Sequence, residues 1–302
     1  MVRLQGDEWK TVAQYIQSIC GIQLDQNKGY LIESRLTHLV EAEGATSFGA
    51  LAGMARADAG GRLERRIIDA ITTGETSFFR DQAPFDLLRH KLIPDLIDAR
   101  ARRGALGLPI RIWSAACSTG QEMYSIAMAL TDVLGRGKYD VRLLGTDISP
   151  HAVARASRGL YNAHEIDRGV SPAHLSRHFL REPDGWKVRD EIRGMVSFRT
   201  LNLLRDFSFL GQFDIVFCRN VAIYFNESDK TSLFTRIEKC LGPEGVLLIG
   251  STESLTGIYP ELEPRRHLRS VYYGRVVPTR PPSTPSLSAT AVLASSCTPS
   301  EP

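Results

Sequence analysis

The run Ile110-Arg-Ile-Trp-Ser-Ala-Ala-Cys-Ser-Thr-Gly120-Gln-Glu122-Met-Tyr-Ser-Ile126, followed by Leu143-Leu-Gly-Thr-Asp147, constrains this chain more than any other feature. A β-rich stretch breaks at a turn of small residues, a helix with an acidic first turn begins, and a second apolar strand ends in a carboxylate. That is the layout of a nucleoside site in an open α/β sheet. There, ligands lie beyond the carboxyl ends of the strands, and an acid about 20 residues past the glycine turn can hold the ribose hydroxyls. Asp147 is placed for that role. Taken alone, a tight βα connection in which Asp147 only caps a helix explains the same residues.

The turn lacks the G-x-G-x-x-G spacing that lets bare backbone close on a pyrophosphate at a helix N-terminus. Only Gly120 is present, and Glu122 falls in the first helical turn, where its charge suits the helix dipole but repels a phosphate. A phosphate-free, cationic nucleoside fits better. S-adenosylmethionine, with a sulfonium and an ammonium against one carboxylate, is such a ligand, so one glycine and two acids in this arrangement suggest methyl transfer.

The 302-residue chain is long enough for one large domain or a large and a small one. Its 37 Lys and Arg against 34 Asp and Glu leave a net charge of +3, with the two signs interspersed. Nucleic-acid binders usually show a basic stripe or run, so no such partner is expected; Arg100, Arg102 and Arg103 beside Gly104 read as a solvated loop. No run of about 18 apolar residues occurs, and the amino terminus has no signal-peptide core, which predicts a cytoplasmic protein without membrane insertion. The five cysteines form no C-x-x-C pair, and Cys20, Cys117, Cys218 and Cys240 read as small buried hydrophobes. The seven histidines lack metal-ligand spacing, so no metal is expected.

Residues 1–72 read as a small all-α domain. Asp7 can cap a helix with Trp9, Val12, Ile16 and Ile19 on one face. A second helix carries Tyr30, Leu31, Leu36, Leu39 and Val40, and shorter ones lie near Ser47–Met54 and Arg62–Ile71. From Pro84 strands and helices alternate, the signature of a parallel sheet with crossover helices. Strands are expected near 110–115, 141–146, 213–218, 245–251 and 270–277, and helices near 84–99, 121–134, 150–158 and 227–240. Residues 171–203, with alternation at Trp186-Lys-Val-Arg and Met195-Val-Ser-Phe-Arg-Thr around Pro183-Asp-Gly, read as an antiparallel insertion within a domain spanning 84–277. The Pro-, Ser- and Thr-rich segment 278–302 is predicted to be disordered.

Two other segments carry chemistry. The linker 73–83 holds Thr76 and Arg80, and Phe78 and Phe79 could pin it to the core while those two face a cleft; a capped helix start with an Arg80–Asp81 surface ion pair is the plainer reading. Phe213-Asp-Ile-Val-Phe-Cys-Arg219-Asn220-Val-Ala-Ile-Tyr224 is a buried strand followed at once by polar and aromatic residues, which brings Asn220 and Tyr224 to the edge where such sheets bind ligands. No His or Cys nucleophile motif is seen. Methyl transfer to a carboxylate needs none, since a free Glu with pKa near 4.3 is already ionised at neutral pH.

The segments Thr72–Asp81, Ser118-Thr-Gly-Gln-Glu122-Met-Tyr-Ser, Gly145-Thr-Asp147-Ile, Leu201-Asn202-Leu203-Leu204 and Cys218-Arg-Asn220-Val-Ala-Ile-Tyr224-Phe225 together resemble the CheR-type chemotaxis receptor methyltransferases over residues 5–277. The resemblance implies an α/β fold: a Rossmann-like class I methyltransferase domain with a small antiparallel β-subdomain, preceded by the helical domain. It implies transfer of methyl from S-adenosylmethionine to glutamates on the cytoplasmic coiled coil of chemoreceptors, leaving S-adenosylhomocysteine and glutamyl methyl esters. Carried over, the cofactor contacts fall on Gly74, Thr76, Arg80, Glu122, Asp147, Asn202, Leu203, Asn220 and Val221, and the catalytic positions on Arg80 and Tyr224. Physically, an arginine there could pair with the incoming carboxylate and aim one oxygen.

The chain departs from the family at three positions: Gly74 stands where asparagine is usual, Met123 where proline is common, and Ala222 where a larger apolar residue is usual. Members that dock on a receptor carboxyl-terminal pentapeptide have a longer, glycine-rich loop where this chain has only Arg181-Glu-Pro-Asp-Gly185, so no dependence on that peptide is expected. Residues 1–80 hold nine Lys and Arg against ten Asp and Glu, so any basic receptor-facing surface must come from clustering among Lys28, Arg35, His38, Arg62, Arg65 and Arg66. A methyltransferase with another acceptor and a non-catalytic S-adenosylmethionine-sensing adaptor are the alternatives.

Overall fold

The computed structural model describes residues 3–6, 8–135 and 138–276; the expected Asp7 cap and the 278–302 tail lie outside them. Four helices come first: α1 (Glu8–Cys20), α2 (Gly29–Ala42), α3 (Phe48–Ala57) and α4 (Arg62–Ile71). Each lays apolar residues at three-to-four spacing onto one core, as with Val12, Ile16 and Ile19 on α1 and Leu63, Ile67 and Ile71 on α4. Ser47 caps α3 by accepting the Ala50 N–H at 3.1 Å. Tyr30, expected on the core face of α2, is 64% exposed, because Ile32 and Leu36 set the buried stripe and Tyr30 lies off it.

Helix α5 (Gln82–Leu87) runs through a π-helical turn at Leu88–Leu92 into α6 (Ile93–Arg102). Then come β1 (Ile110–Ala115), α7 (Gln121–Leu134), β2 (Val141–Asp147), α8 (Pro150–Arg158), β3 (Leu160–Tyr161), α9 (Ala163–Asp167) and α10 (Pro172–His178). The chain continues with β4 (Phe179–Glu182), β5 (Gly185–Val188), α11 (Asp190–Arg193), β6 (Val196–Thr200), β7 (Phe213–Cys218), α12 (Glu227–Lys239), β8 (Leu241–Ile249), β9 (Leu262–His267) and β10 (Ser270–Arg275). Among the described residues the main sheet has seven strands in the order β6-β2-β1-β7-β8-β10-β9, parallel except for β10, which runs antiparallel to both β8 and β9. The order reverses at β1, whose neighbours β2 and β7 lead to opposite halves of the sheet; this is the Rossmann-like arrangement expected.

Period-two alternation divides the core between the two faces. Ile110 and Ile112 of β1 and Ile215 and Phe217 of β7 pack towards α7, while Trp113, Val216 and Cys218 pack with Leu233, Phe234 and Ile237 of α12. Cys20, Cys117, Cys218 and Cys240 are all buried free thiols.

The antiparallel subdomain differs from the 171–203 insertion expected. A separate sheet does form, in the order β3-β5-β4, but β3 comes from Leu160–Tyr161, and Val196–Thr200 leaves the insertion to become β6, parallel to β2 at the edge of the main sheet. An edge strand exposes one side, so β6 carries the same alternation that an antiparallel hairpin would show. The linker is pinned by its aromatics: Phe78 meets Tyr161 and Phe179 edge-to-face at ring separations of 4.9 and 5.6 Å, and Phe79 stacks on His174 at 4.7 Å. Phe78→Ala is expected to destabilise the protein by about 3–5 kcal/mol in urea unfolding, the cost of emptying a large buried aromatic site. A loss below about 1 kcal/mol would mean that the linker is held elsewhere.

Candidate active site

Strands β1, β2 and β7 end level with one another, since Ala115 pairs with Thr146 on one side and with Cys218 on the other. The residues just past those ends therefore meet at one rim, at the point where strand order reverses. Gly120 opens α7 there with φ +96, and a Cβ would lie 2.9 Å from Ala156 Cβ and 3.0 Å from the Tyr161 hydroxyl. Only glycine allows that turn and that close approach of α7 to α8.

Asp147, ending β2, accepts the Ser118 N–H at 2.8 Å on Oδ2 and the Ser149 N–H at 3.0 Å on Oδ1. It has no cation partner among the described residues, and burial raises its carboxyl above the ordinary 3.8, opposed by those backbone donors and reinforced by the charge of Asp69. Glu122 sits in the first turn of α7, where Oε1 accepts the Ser114 hydroxyl and Oε2 accepts from Arg219, each at 2.8 Å.

All ten residues singled out from the sequence line one cavity at this rim: Gly74, Thr76, Arg80, Glu122, Asp147, Asn202, Leu203, Asn220, Val221 and Tyr224. The linker supplies Gly74, which accepts a 3.0 Å bond from the Ser118 hydroxyl on its carbonyl, together with Thr76 and Arg80. Arg80 does not pair with Asp81; its guanidinium donates to the Glu75 carbonyl at 3.1 Å. Tyr224, 36% exposed, follows Asn220 on a short 3₁₀ turn at the cavity mouth. The Asn202 side chain is already engaged, its amide donating to the Ile19 carbonyl at 2.8 Å and its oxygen accepting the Leu204 N–H at 2.9 Å. Those two bonds fix the orientation of the Asn202 side chain at the cavity wall, beside Leu203.

Several contributors are not among the candidate residues read from the sequence. Cys20, Ile22, Asp69 and Thr72 of the helical domain and Thr73 of the linker also line the cavity, so it is closed from both domains. Asp69 accepts from the Ser149 hydroxyl, and the Gln23 N–H donates to the Tyr224 carbonyl at 2.8 Å. Arg219 is the other omission: its side chain is 1% exposed and bridges Asp81 and Glu122. Non-glycine residues with left-handed backbone concentrate here, at Phe79, Asp81, Ala116, Ser118 and Asn220. Such conformations persist only where the surroundings hold them, and they cluster at functional sites.

Much of the basic cluster on the helical domain is spent internally. Arg35 donates to the Ile71 and Thr72 carbonyls at 2.6 and 3.0 Å, capping α4, while Arg62 and Arg66 both pair with Glu43, and Lys28 pairs with Asp25. Outside the cavity, Asp132, His174 and His178 approach one another closely, but Arg89 and Arg177 also contact Asp132 and already compensate its charge.

Residues 74–267 match the family described as CheR methyltransferase, SAM binding domain, and residues 7–72 match CheR methyltransferase, all-alpha domain. Chemotaxis protein methyltransferases of Pseudomonas putida and Pseudomonas aeruginosa are each 42% identical over 249 residues, 81% of this chain and 89% of theirs. A chemotaxis protein methyltransferase of Salmonella typhimurium is 33% identical over 267 residues, 87% of this chain and 88% of its own. The chain belongs to the CheR methyltransferase family and carries that family's S-adenosylmethionine-binding domain.

Proposed function

We propose that this protein esterifies glutamate side chains on the coiled-coil cytoplasmic region of chemoreceptors, taking the methyl group from S-adenosylmethionine and acting in the cytoplasm. The observation that carries the reading is that Arg80 and Tyr224 open onto the same cavity as Asp147 and Glu122. A cation-binding end and an acceptor-facing end thus share one space.

The residues present fit an adenosyl sulfonium. Asp147 has acceptor capacity left on both oxygens for ribose hydroxyls, and the four acids Asp69, Glu75, Glu122 and Asp147 outnumber the three arginines Arg80, Arg155 and Arg219 on the cavity wall, which disfavours a dinucleotide's phosphates. Bound there, the sulfonium supplies an electrophilic methyl group. The acceptor carboxylate arrives ionised, and converting a carboxylate and a sulfonium into a neutral ester and a thioether moves no proton. The protein therefore has to orient and desolvate rather than act as a base. Arg80 is suited to pair with one carboxylate oxygen and leave the other free, and the Tyr224 phenol to line the approach.

The subsdomain hairpin supports independence from a receptor tether, since only Pro183 and Asp184 separate β4 from β5. Calorimetric titration with a carboxyl-terminal receptor pentapeptide is expected to show no saturable binding, and tight one-site binding would overturn that reading.

Labelled methyl incorporated into receptor cytoplasmic fragments is expected to be released as methanol by mild base. Base-stable label would exclude an ester and favour a different acceptor. A second expectation follows from the raised Asp147 carboxyl. With its pKa above 3.8, any stability it contributes to the free protein is present below that value and lost as pH rises through the raised one. Ribose hydroxyls donating to the charged form would lower the pKa again. S-adenosylhomocysteine binding should then release protons at acid pH, between the bound and free values, and none near pH 8. Calorimetry in buffers of different ionisation enthalpy reads this, and proton uptake, or release unaffected by Asp147→Ala, would contradict it.

A further inference from the structure

Arg219 follows directly on β7 and its side chain is 1% exposed, yet its donors reach three acceptors in two other segments. Nη1 donates to Glu122 Oε2 at 2.8 Å. Nη2 donates to Asp81 Oδ2 at 2.8 Å and to the Arg80 carbonyl at 3.0 Å. One planar fork thus ties the start of α7, the linker and the end of β7. A lysine, with a single ammonium on a flexible stem, cannot reproduce those fixed directions.

The Arg80 side chain does little to fix itself. Among the described residues its one hydrogen bond is the exposed contact to the Glu75 carbonyl, so its aim depends on where its backbone is held. That backbone is flanked by left-handed residues, Phe79 at φ +49 and Asp81 at φ +55, conformations that an ordinary side chain leaves unless external contacts retain it. Besides the aromatic contacts of Phe78 and Phe79 and a 3.5 Å contact from the Ser251 hydroxyl to Asp81, this stretch is retained by the Phe79 N–H donating to the Ser125 hydroxyl at 2.9 Å and by the Arg219 bonds to Asp81 and to the Arg80 carbonyl, of which only the Arg219 bonds reach the residues on either side of the Arg80–Asp81 peptide.

We propose that Arg219 is a positioning residue for methyl transfer: through Asp81 and the Arg80 carbonyl it sets the launch point of the Arg80 side chain, and through Glu122 it ties that point to the cofactor end of the cavity. The proposal rests on the methyl-transfer reading above. It implies that loosening the Arg219–linker bond lowers turnover far more than it weakens cofactor binding.

Asp81→Asn is the sharpest variant. Asp81 is not a cavity-lining residue, its side chain is 41% exposed, and asparagine tolerates φ +55 at least as well as aspartate, so folding is expected to survive. Arg219→Lys serves as the second variant, because removing the guanidinium charge altogether would strand two partly buried carboxylates. For Asp81→Asn we expect kcat towards receptor fragments to fall about tenfold or more, with S-adenosylhomocysteine affinity within about threefold of wild type. Hydrogen exchange over residues 76–81 should rise about tenfold while exchange in β1 and β7 stays unchanged. In an Arg80→Ala background, adding Asp81→Asn should cost no further turnover, since both act through the same side chain.

Turnover within twofold of wild type in both variants would overturn the proposal. So would a full additional loss in the Arg80→Ala background, or exchange over residues 76–81 that does not change. If wild-type protein methylates no receptor fragment, the functional reading fails instead, and the exchange and affinity measurements still decide whether Arg219 holds the linker.

Discussion

The level ending of β1, β2 and β7 is the constraint on which the rest depends. Parallel hydrogen bonding fixes Ala115 opposite both Thr146 and Cys218, so the loops after the three strands begin at one height. Asp147, the Gly120 turn and the Arg219–Asn220 step then face one space without any long-range adjustment. A shift of one residue in the β1–β2 ladder would turn the side chains at the end of β2 to the opposite face of the sheet and remove the acid from the cavity.

The charge at that rim is arranged in two ways. Glu122 is neutralised by Arg219 and braced by Ser114, while Asp147 is held by backbone N–H groups alone and keeps its remaining acceptor capacity. Within a cavity partly closed by the helical domain, Asp147 thus offers acceptor positions to a donor-bearing ligand. The same closure explains why the helical domain belongs to the site: Asn202 bonds across to Ile19, Gln23 bonds to Tyr224, and Asp69 bonds to Ser149.

Local signals in the sequence located the elements that build the rim. β1 at 110–115 and α7 at 121–134 fall where the break at Ser118–Gly120 placed them, because a small-residue turn between a β-branched run and an amphipathic helix has few alternatives. Val196–Thr200 was misassigned because an exposed parallel edge strand alternates like a hairpin strand, and the two-residue β3 is too short to leave a pattern. The site residues could be named from their segments, but not what their side chains were already doing. Nothing local to Asn202 shows that its amide is spent on Ile19, or that Arg35 caps α4 rather than facing a partner. The role of Arg219 is not legible locally, because its two carboxylate partners, Asp81 and Glu122, lie far away in sequence.

The proposed function requires an adenosyl group across this rim, with its sugar on Asp147 and its sulfur towards Arg80 and Tyr224. A crystal structure of the protein with S-adenosylhomocysteine measures it directly. The expected result is both ribose hydroxyls within about 3 Å of the Asp147 carboxylate and the sulfur facing the gap between Arg80 and Tyr224. A ligand bound elsewhere, or one whose sugar is held by other groups while Asp147 stays apart, would contradict it.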